Sequence, residues 1–268
     1  MKRIAARVLT AMMFAMAMCT MAFASNDVVR VGVEANLKPF VYMGEDGTVK
    51  GFDIDIAEAA CKDMGKRCQF VNMAWDGLIP ALQVGKIDAI ISSMTITDGR
   101  KKVVDFTRAY YKSPSFLVVH NSVVSDTQLK GKRVGVMRGS IDANYAAEVL
   151  GPRMGIVAVQ YANQNEIFLD LINGRIDGAL TPQLEAQAGF FDHLNATNPL
   201  LASQFHFYGN DGTGFLDEKY YGYGIGMAVS KQKPELLAGL NKAINDIRAD
   251  GRYKTINDRY FPMDIWGQ

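Results

Sequence analysis

Reactive side chains are scarce in this chain. Its 268 residues include three cysteines, three histidines and two tryptophans. The histidines, His120, His193 and His206, lack the spacing of a metal-ligand set. There is no G-x-S-x-G elbow and no G-x-x-x-x-G-K-[ST] loop. That removes the nucleophile-elbow hydrolases and the P-loop nucleotide enzymes. Excess charge of one sign is missing too: 29 basic residues stand against 28 acidic ones. A nucleic-acid partner or a polybasic membrane contact is therefore not expected. Low-complexity tracts are absent, and the methionine-rich run is confined to the N-terminus. No metal and no cofactor are expected.

What is present begins with a leader. Lys2, Arg3 and Arg7 precede an apolar run from Val8 to Ala22, which closes on Ala22-Phe23-Ala24. A basic start, a short apolar stretch and a small-x-small end describe a secretory signal peptide, here residues 1–24. The run is short for a retained anchor. Lipid attachment at Cys19 is disfavoured by bulky Met18 before it. The expected product is an exported protein starting near Ser25. Removing 24 residues leaves 244, and removing three basic ones leaves 26 against 28 acidic, near −2. The length suits two modest lobes. Two cysteines remain, Cys61 and Cys68. An even count in an oxidising compartment predicts one disulfide, a local staple between a helix and the next strand.

Two strings recur in the same order. Arg30-Val31-Gly32-Val33 returns as Arg133-Val134-Gly135-Val136. Leu82-Gln83-Val84-Gly85-Lys86-Ile87-Asp88-Ala89 returns as Leu171-Ile172-Asn173-Gly174-Arg175-Ile176-Asp177-Gly178. The short string reads as a buried strand, the long one as a helix end running into another strand. Chance reuse of common strand vocabulary is the competing account. A βα framework built twice predicts an α/β protein of two lobes with a ligand cleft between them. In the first half the pattern predicts strands at 28–34, 68–72 and 87–92, with helices from about Asp53 (a candidate N-cap) and from Asp76 to Gln83. In the second it predicts strands 115–120, 133–137, 155–161 and 176–180, with helices 141–150 and 166–172. A return crossing is expected near Phe205–Gly209, then a closing helix Pro234–Ala249 stopped at Gly251. The expected lobes are 25–112 with 208–268, and 113–207.

Chemistry concentrates where strands leave a sheet, the usual ligand position in open α/β sheets. Ser92, Ser93 and Thr95 bring hydroxyls there, and Arg100 can grip a carboxylate with two parallel hydrogen bonds. Thr97 is also a candidate helix cap. Ser140, after Gly139, can contact an anion or simply cap its helix. Trp75 can stack on a ligand or pack in the core. Glu34, Asp53 and Asp142 can face a cleft and meet a positive group, or serve as caps.

Several strings resemble one family: Gly51-Phe52-Asp53-Ile54-Asp55-Ile56, the Cys61/Cys68 pair, Trp75-Asp76-Gly77-Leu78-Ile79-Pro80, Ile87–Arg100, Val134-Gly135-Val136, Gly139-Ser140, Tyr161-Ala162-Asn163-Gln164 and Asp250-Gly251-x-Tyr253. The chain is similar to the periplasmic binding proteins of polar amino-acid ABC transporters (solute-binding family 3), especially the lysine/arginine/ornithine and histidine binders. The resemblance implies a type II periplasmic-binding fold: two α/β lobes, two hinge strands and one small ligand held between them. It implies a monomer that docks on a permease and ATPase complex in the inner membrane. By position, Arg100 resembles the carboxylate clamp, with Thr95 and Ser140 as helpers. Ser92 and Ser93 fall where the α-ammonium and side chain are met, and Trp75 where an aromatic wall stands. Glu34 falls at the acid for a distal cation, with Asp53 similarly placed, and Met137, Ile141 and Asp142 line the second lobe. Two positions depart from the pattern. Leu37 replaces the opposite aromatic wall, and Pro182 replaces the acid that pairs with the α-ammonium. Proline offers neither charge nor donor. Asp142 or Glu185 would have to substitute, or the ligand is a derivative such as an opine. Two other functions stay open on sequence alone. One is a cyclohexadienyl dehydratase-like enzyme using Glu34, Asp142 or Glu185. The other is a sensory binding protein.

Overall fold

The computed structural model describes residues 27–209, 214–215 and 217–266. The expected signal peptide with Cys19, and the expected start at Ser25, lie outside the described residues. The first half holds strands β1 (Val28–Val33), β2 (Asn36–Leu37), β3 (Val41–Met43), β4 (Val49–Lys50), β5 (Arg67–Asn72), β6 (Ala89–Ile90) and β7 (Asp105–Phe106). The second holds β8 (Ser115–His120), β9 (Arg133–Met137), β10 (Val157–Tyr161), β11 (Gly178–Pro182) and β12 (Phe205–Tyr208), and β13 (Ala228–Val229) follows late in the chain. Two five-stranded sheets result, ordered β5-β1-β6-β13-β7 and β10-β9-β11-β8-β12, with β2-β3-β4 as a small separate sheet. Each large sheet has two parallel pairings followed by two antiparallel ones in the same order, so one strand, β13 or β8, runs against the other four.

The repeated strings have matching tasks. In β1 the Arg30 amide donates to Asp88 Oδ2 at 2.8 Å, and the Asp88 amide donates back to the Arg30 carbonyl at 2.7 Å. In β9 the Arg133 amide donates to Asp177 Oδ2 at 2.8 Å, and the Asp177 amide donates back to Arg133 at 2.7 Å. The glycines repeat because both face a repeated isoleucine. A Cβ at Gly32 would lie 2.3 Å from Ile87 Cδ1, and one at Gly135 would lie 2.7 Å from Ile176 Cδ1. Helical side chains crowd the same places, Leu78 at 3.1 Å and Ile167 at 2.8 Å, so a side chain there would push helix and sheet apart.

Strands β8 and β9 and the helix Pro234–Ala249 have the expected bounds. Other elements differ. The strand expected at 87–92 is a two-residue ladder, because Ser92 and Ser93 turn away from the sheet. The helix expected at 141–150 is α-helical to Tyr145 and then opens into a π-turn, Ala146–Leu150. The helix Phe52–Asp63 starts after Gly51 without a side-chain cap, so Asp53 is not the cap its position implied. The segment expected at the return crossing, Phe205–Gly209, contains β12 of the second sheet. β12 pairs antiparallel with β8, Phe215 bridges to Ser115, and Tyr220 and Tyr221 are buried with Val134 and Tyr145. Phe215, Tyr220 and Tyr221 thus pack with the second half, and Ile225 pairs with Thr95 and Tyr111 of the first. The predicted disulfide, Cys61–Cys68, joins a helix to β5.

One buried apolar cluster runs from Leu78, Leu82 and Ile90 through Leu37, Trp75 and Met137 to Ile167, Phe168 and Ala179. It therefore includes side chains of both halves. No helix among the described residues is long and apolar enough to cross a membrane.

Candidate ligand-binding site

Between the two sheets lies a cavity lined from both sides. The first half contributes Leu37, Trp75, Ser93, Thr95 and Arg100. The connecting segment adds Ser113, and the second half adds Ser115, Met137, Ser140, Ile141, Asp142, Gln164, Pro182, Glu185 and Tyr221. The open space is about 40 Å³, room for a few waters. Larger surface hollows exist, one of about 980 Å³ beside Tyr42 and Phe190. The interlobe cavity is where buried charged groups converge.

Arg100 is set by its local backbone. The Thr97 hydroxyl accepts the Arg100 amide at 3.2 Å, capping the single turn Asp98–Lys101. Arg100 Nη1 donates to the Thr95 carbonyl at 2.9 Å, and the guanidinium carbon stands 5.5 Å from the Trp75 ring centre. Burial pulls the guanidinium down to about 10, opposed by the charge of Asp142. No carboxylate among the described residues lies within ion-pair distance of it. Its remaining N–H groups have no ion-pair partner, although the Asp142 carboxyl lines the same cavity.

Two carboxyl groups face the same space from the second half. Asp142 accepts from Tyr221 Oη at 3.0 Å. Burial pushes it up to about 6, partly offset by that bond and by Arg100. Glu185 accepts from Ser113 Oγ at 3.4 Å, and burial pushes it up to about 8. The Gln164 side-chain nitrogen is buried and without a hydrogen-bond partner among the described residues. Ser140 spends its oxygen on the Ala143 amide at 3.1 Å, so it caps its helix while also lining the cavity.

Three expected site residues do not line the cavity. Ser92 Oγ accepts the Glu34 amide at 3.0 Å and is fully buried. Glu34 itself points to Asn36, 2.5 Å away, and burial raises its pKa. Asn165 donates to Asn36 at 3.2 Å, linking that pair to the second half. Asp53 accepts the Ser93 amide and the Tyr110 hydroxyl, both at 2.8 Å. Burial pushes it up to about 7, with both bonds opposing. Its task is to hold Ser93, whose φ of 51° is strained for a residue with a side chain. Tyr111 Oη, 2.8 Å from Ser93 Oγ, fixes the other end of that residue. Both acids sit at strand or helix starts and accept from neighbouring amides, Glu34 Oε1 from Asn36 and Asp53 Oδ2 from Ser93.

Sequence reasoning left out Ser113, Ser115, Gln164 and Tyr221 and held Glu185 only as a substitute. Gln164 stands in the Tyr161-Ala162-Asn163-Gln164 string, and Ser113 at the first crossing. Tyr221 had no local signal.

Comparison with known proteins follows the geometry. The model of the bacterial extracellular solute-binding proteins, family 3, matches residues 29–263. The L-arginine-binding protein of Pseudomonas aeruginosa is 42% identical over 248 residues, 91% of this chain and 92% of that one. The histidine-binding periplasmic protein of Salmonella typhimurium is 38% identical over 260 residues, 96% of each. A solved ancestral arginine-binding protein bound to arginine superposes with a TM-score of 0.76 at 36% identity, covering 88% of this chain and 99% of that one. The architecture is the type II periplasmic-binding fold.

Proposed function

The chain belongs to the bacterial extracellular solute-binding proteins of family 3, and from that premise we propose that it receives a basic amino acid of the arginine, lysine, ornithine or histidine type. One observation carries the reading. A guanidinium and two carboxyl groups face one cavity, and none of the three has an oppositely charged partner within ion-pair distance among the described residues. Buried charges without partners are costly. A ligand with one carboxylate and two cationic groups supplies what each lacks. Such groups also occur together in the ligand that the Pseudomonas aeruginosa relative's name gives, L-arginine.

On this reading Arg100 takes the ligand carboxylate, with Thr95 and the donors of Ser140 and Gln164 nearby. Trp75 and Leu37 flank the aliphatic part. Asp142 and Glu185 meet the positive groups. Pro182 supplies no charge, but Glu185 stands three residues on and supplies one, which favours an unmodified amino acid over an opine-like derivative. The lobes comprise 25–112 with 222–268, and 113–221, the change from 208 following the pairing of β12. They part to admit the ligand and close by a shift of population. The chain acts as a monomer without nucleic acid. It is exported by cleavage after residue 24 and delivers ligand to an ABC permease complex. Its relatives are binding proteins, and it is a binding protein and not an enzyme.

Calorimetry with L-arginine, L-lysine, L-ornithine, L-histidine and L-glutamine tests this. A cationic amino acid is expected to bind at least tenfold tighter than glutamine. Equal affinity for glutamine, or no binding to any of the five, would overturn the reading. Mass spectrometry of the small molecule released on denaturing the purified protein identifies the ligand directly.

A further inference from the structure

We propose that Glu185 is the residue that selects a cationic nitrogen on the ligand, and that it gives up its proton to solvent as that nitrogen seats. The proposal rests on the basic-amino-acid reading above and adds the selecting group and a proton that moves. Glu185 sits on the single turn Gln183–Ala186 that follows directly from Pro182, the last residue of β11. It is 3% exposed and still lines the cavity. Its placed hydrogen-bond donor is the neutral Ser113 hydroxyl at a long 3.4 Å. No lysine, arginine or histidine among the described residues pairs with it.

The surroundings on balance favour the protonated form. Burial raises Glu185 most, and the charges of Asp53 from the first half and Asp142 from the second add to it, while its own backbone amide and the Ser93 hydroxyl oppose. The phenol of Tyr111 is also coupled to it. Strands β8 and β11 and the turn Gln187–Phe191 pack on its helix. Together they carry one titratable group, His120, exposed at the far end of β8. An acid buried among acids keeps its proton, and burial accordingly holds Glu185 up to about 8. A cation placed beside it reverses the balance. The carboxyl O–H bond breaks, the proton passes to buffer, and the carboxylate pairs with the arriving nitrogen. Ligands without a second positive charge gain nothing from this exchange.

The experiment is titration calorimetry of the full exported chain with L-arginine at pH 7, in phosphate and in Tris. The two buffers differ in ionisation heat, so the difference counts protons. The wild type is expected to release about one proton per ligand, with affinity rising between pH 6 and pH 8. Glu185→Gln is expected to bind L-arginine at least tenfold more weakly, to release no proton, and to lose preference for L-arginine over L-glutamine. Glu185→Asp should recover part of both. Binding of L-arginine by the wild type without proton release, or a Glu185→Gln variant with Kd within twofold of wild type, would overturn the proposal and leave the basic-amino-acid reading standing. No binding of any basic amino acid by the wild type would remove both. The wild-type proton count needs no variant, so the proposal stays open to refutation even where Glu185→Gln does not fold.

Discussion

Arg100, which the proposed function assigns to the ligand carboxylate, is held in place by protein groups that take up only part of it. The Thr95 carbonyl and the Trp75 face occupy part of the guanidinium. They leave further N–H donors for the ligand carboxylate of the proposed function. Hydrogen bonds to charged groups contribute about 1.5–3 kcal/mol. Arg100→Ala should therefore weaken L-arginine binding by about 10- to 100-fold in calorimetry. Arg100→Lys should fall between, because the charge remains while the planar fork is lost. Unchanged affinity in Arg100→Ala would remove the carboxylate-clamp role. Asp53 calls for a different measurement. It touches Ser93 and Tyr110 and not the cavity. Asp53→Ala should cost about 1–3 kcal/mol in denaturant unfolding by leaving the Ser93 amide unsatisfied. Its effect on affinity should be smaller than that of Arg100→Ala.

At the scale of elements, the turn after β9 meets the turn before the helix Leu78–Gln83. Arg138 Nε lies 2.7 Å from Asp76 Oδ2 across the gap between halves. Gly139, at φ +73°, would place a Cβ 3.3 Å from Asp76 Cβ. This contact exists only while the halves are together. Exposed pairs contribute about 0.2–1 kcal/mol. Asp76→Asn should weaken ligand binding about two- to fivefold, with the difference shrinking as salt rises. Gly139→Ala should weaken it further through strain and crowding. A Asp76→Asn variant with wild-type affinity at low salt would show that the pair does not hold the closed form. The Cys61–Cys68 staple belongs to the same scale. It closes a loop with a sequence separation of 7, so replacing both cysteines by alanine should cost roughly 2 kcal/mol of unfolding free energy. Ligand affinity should hardly change, because the staple lies outside the cavity lining.

For the molecule as a whole, the buried acids tie stability to pH. Asp53, Asp142 and Glu185 are held up to about 7, 6 and 8. The unfolded chain releases these protons near the ordinary values of 3.8 and 4.5. Between those values and the folded ones, the unfolded state binds fewer protons than the folded state. Stability therefore falls as pH rises through this window. Without ligand, the melting temperature should drop between pH 5 and pH 8. Added L-arginine should raise it more at pH 8 than at pH 5.5, because binding to the native state stabilises it and the bound form has ionised acids. A ligand-induced rise that shrank toward pH 8 would contradict this assignment of the acids.

The repeat strings determined the doubled α/β plan by local means. Gly32 and Gly135 need a missing side chain beneath Ile87 and Ile176, and Asp88 and Asp177 need the amides of Arg30 and Arg133. Short-range constraints of this kind are written in neighbouring residues. So were the Thr97 cap, the proline-started helix Pro234–Ala249 and the lining places of Trp75, Thr95 and Arg100. Which acid faces the ligand was decided elsewhere. Glu34, Asp53, Asp142 and Glu185 look alike as letters. Tertiary packing turns Asp53 to the Ser93 amide and Glu34 to Asn36, and leaves Asp142 and Glu185 in the gap. Tyr221 and Ser113 reach the cavity from chain crossings that only the paired sheets define. A side chain's direction into a cleft depends on the backbone of both halves, and no stretch of one half encodes where the other will stand.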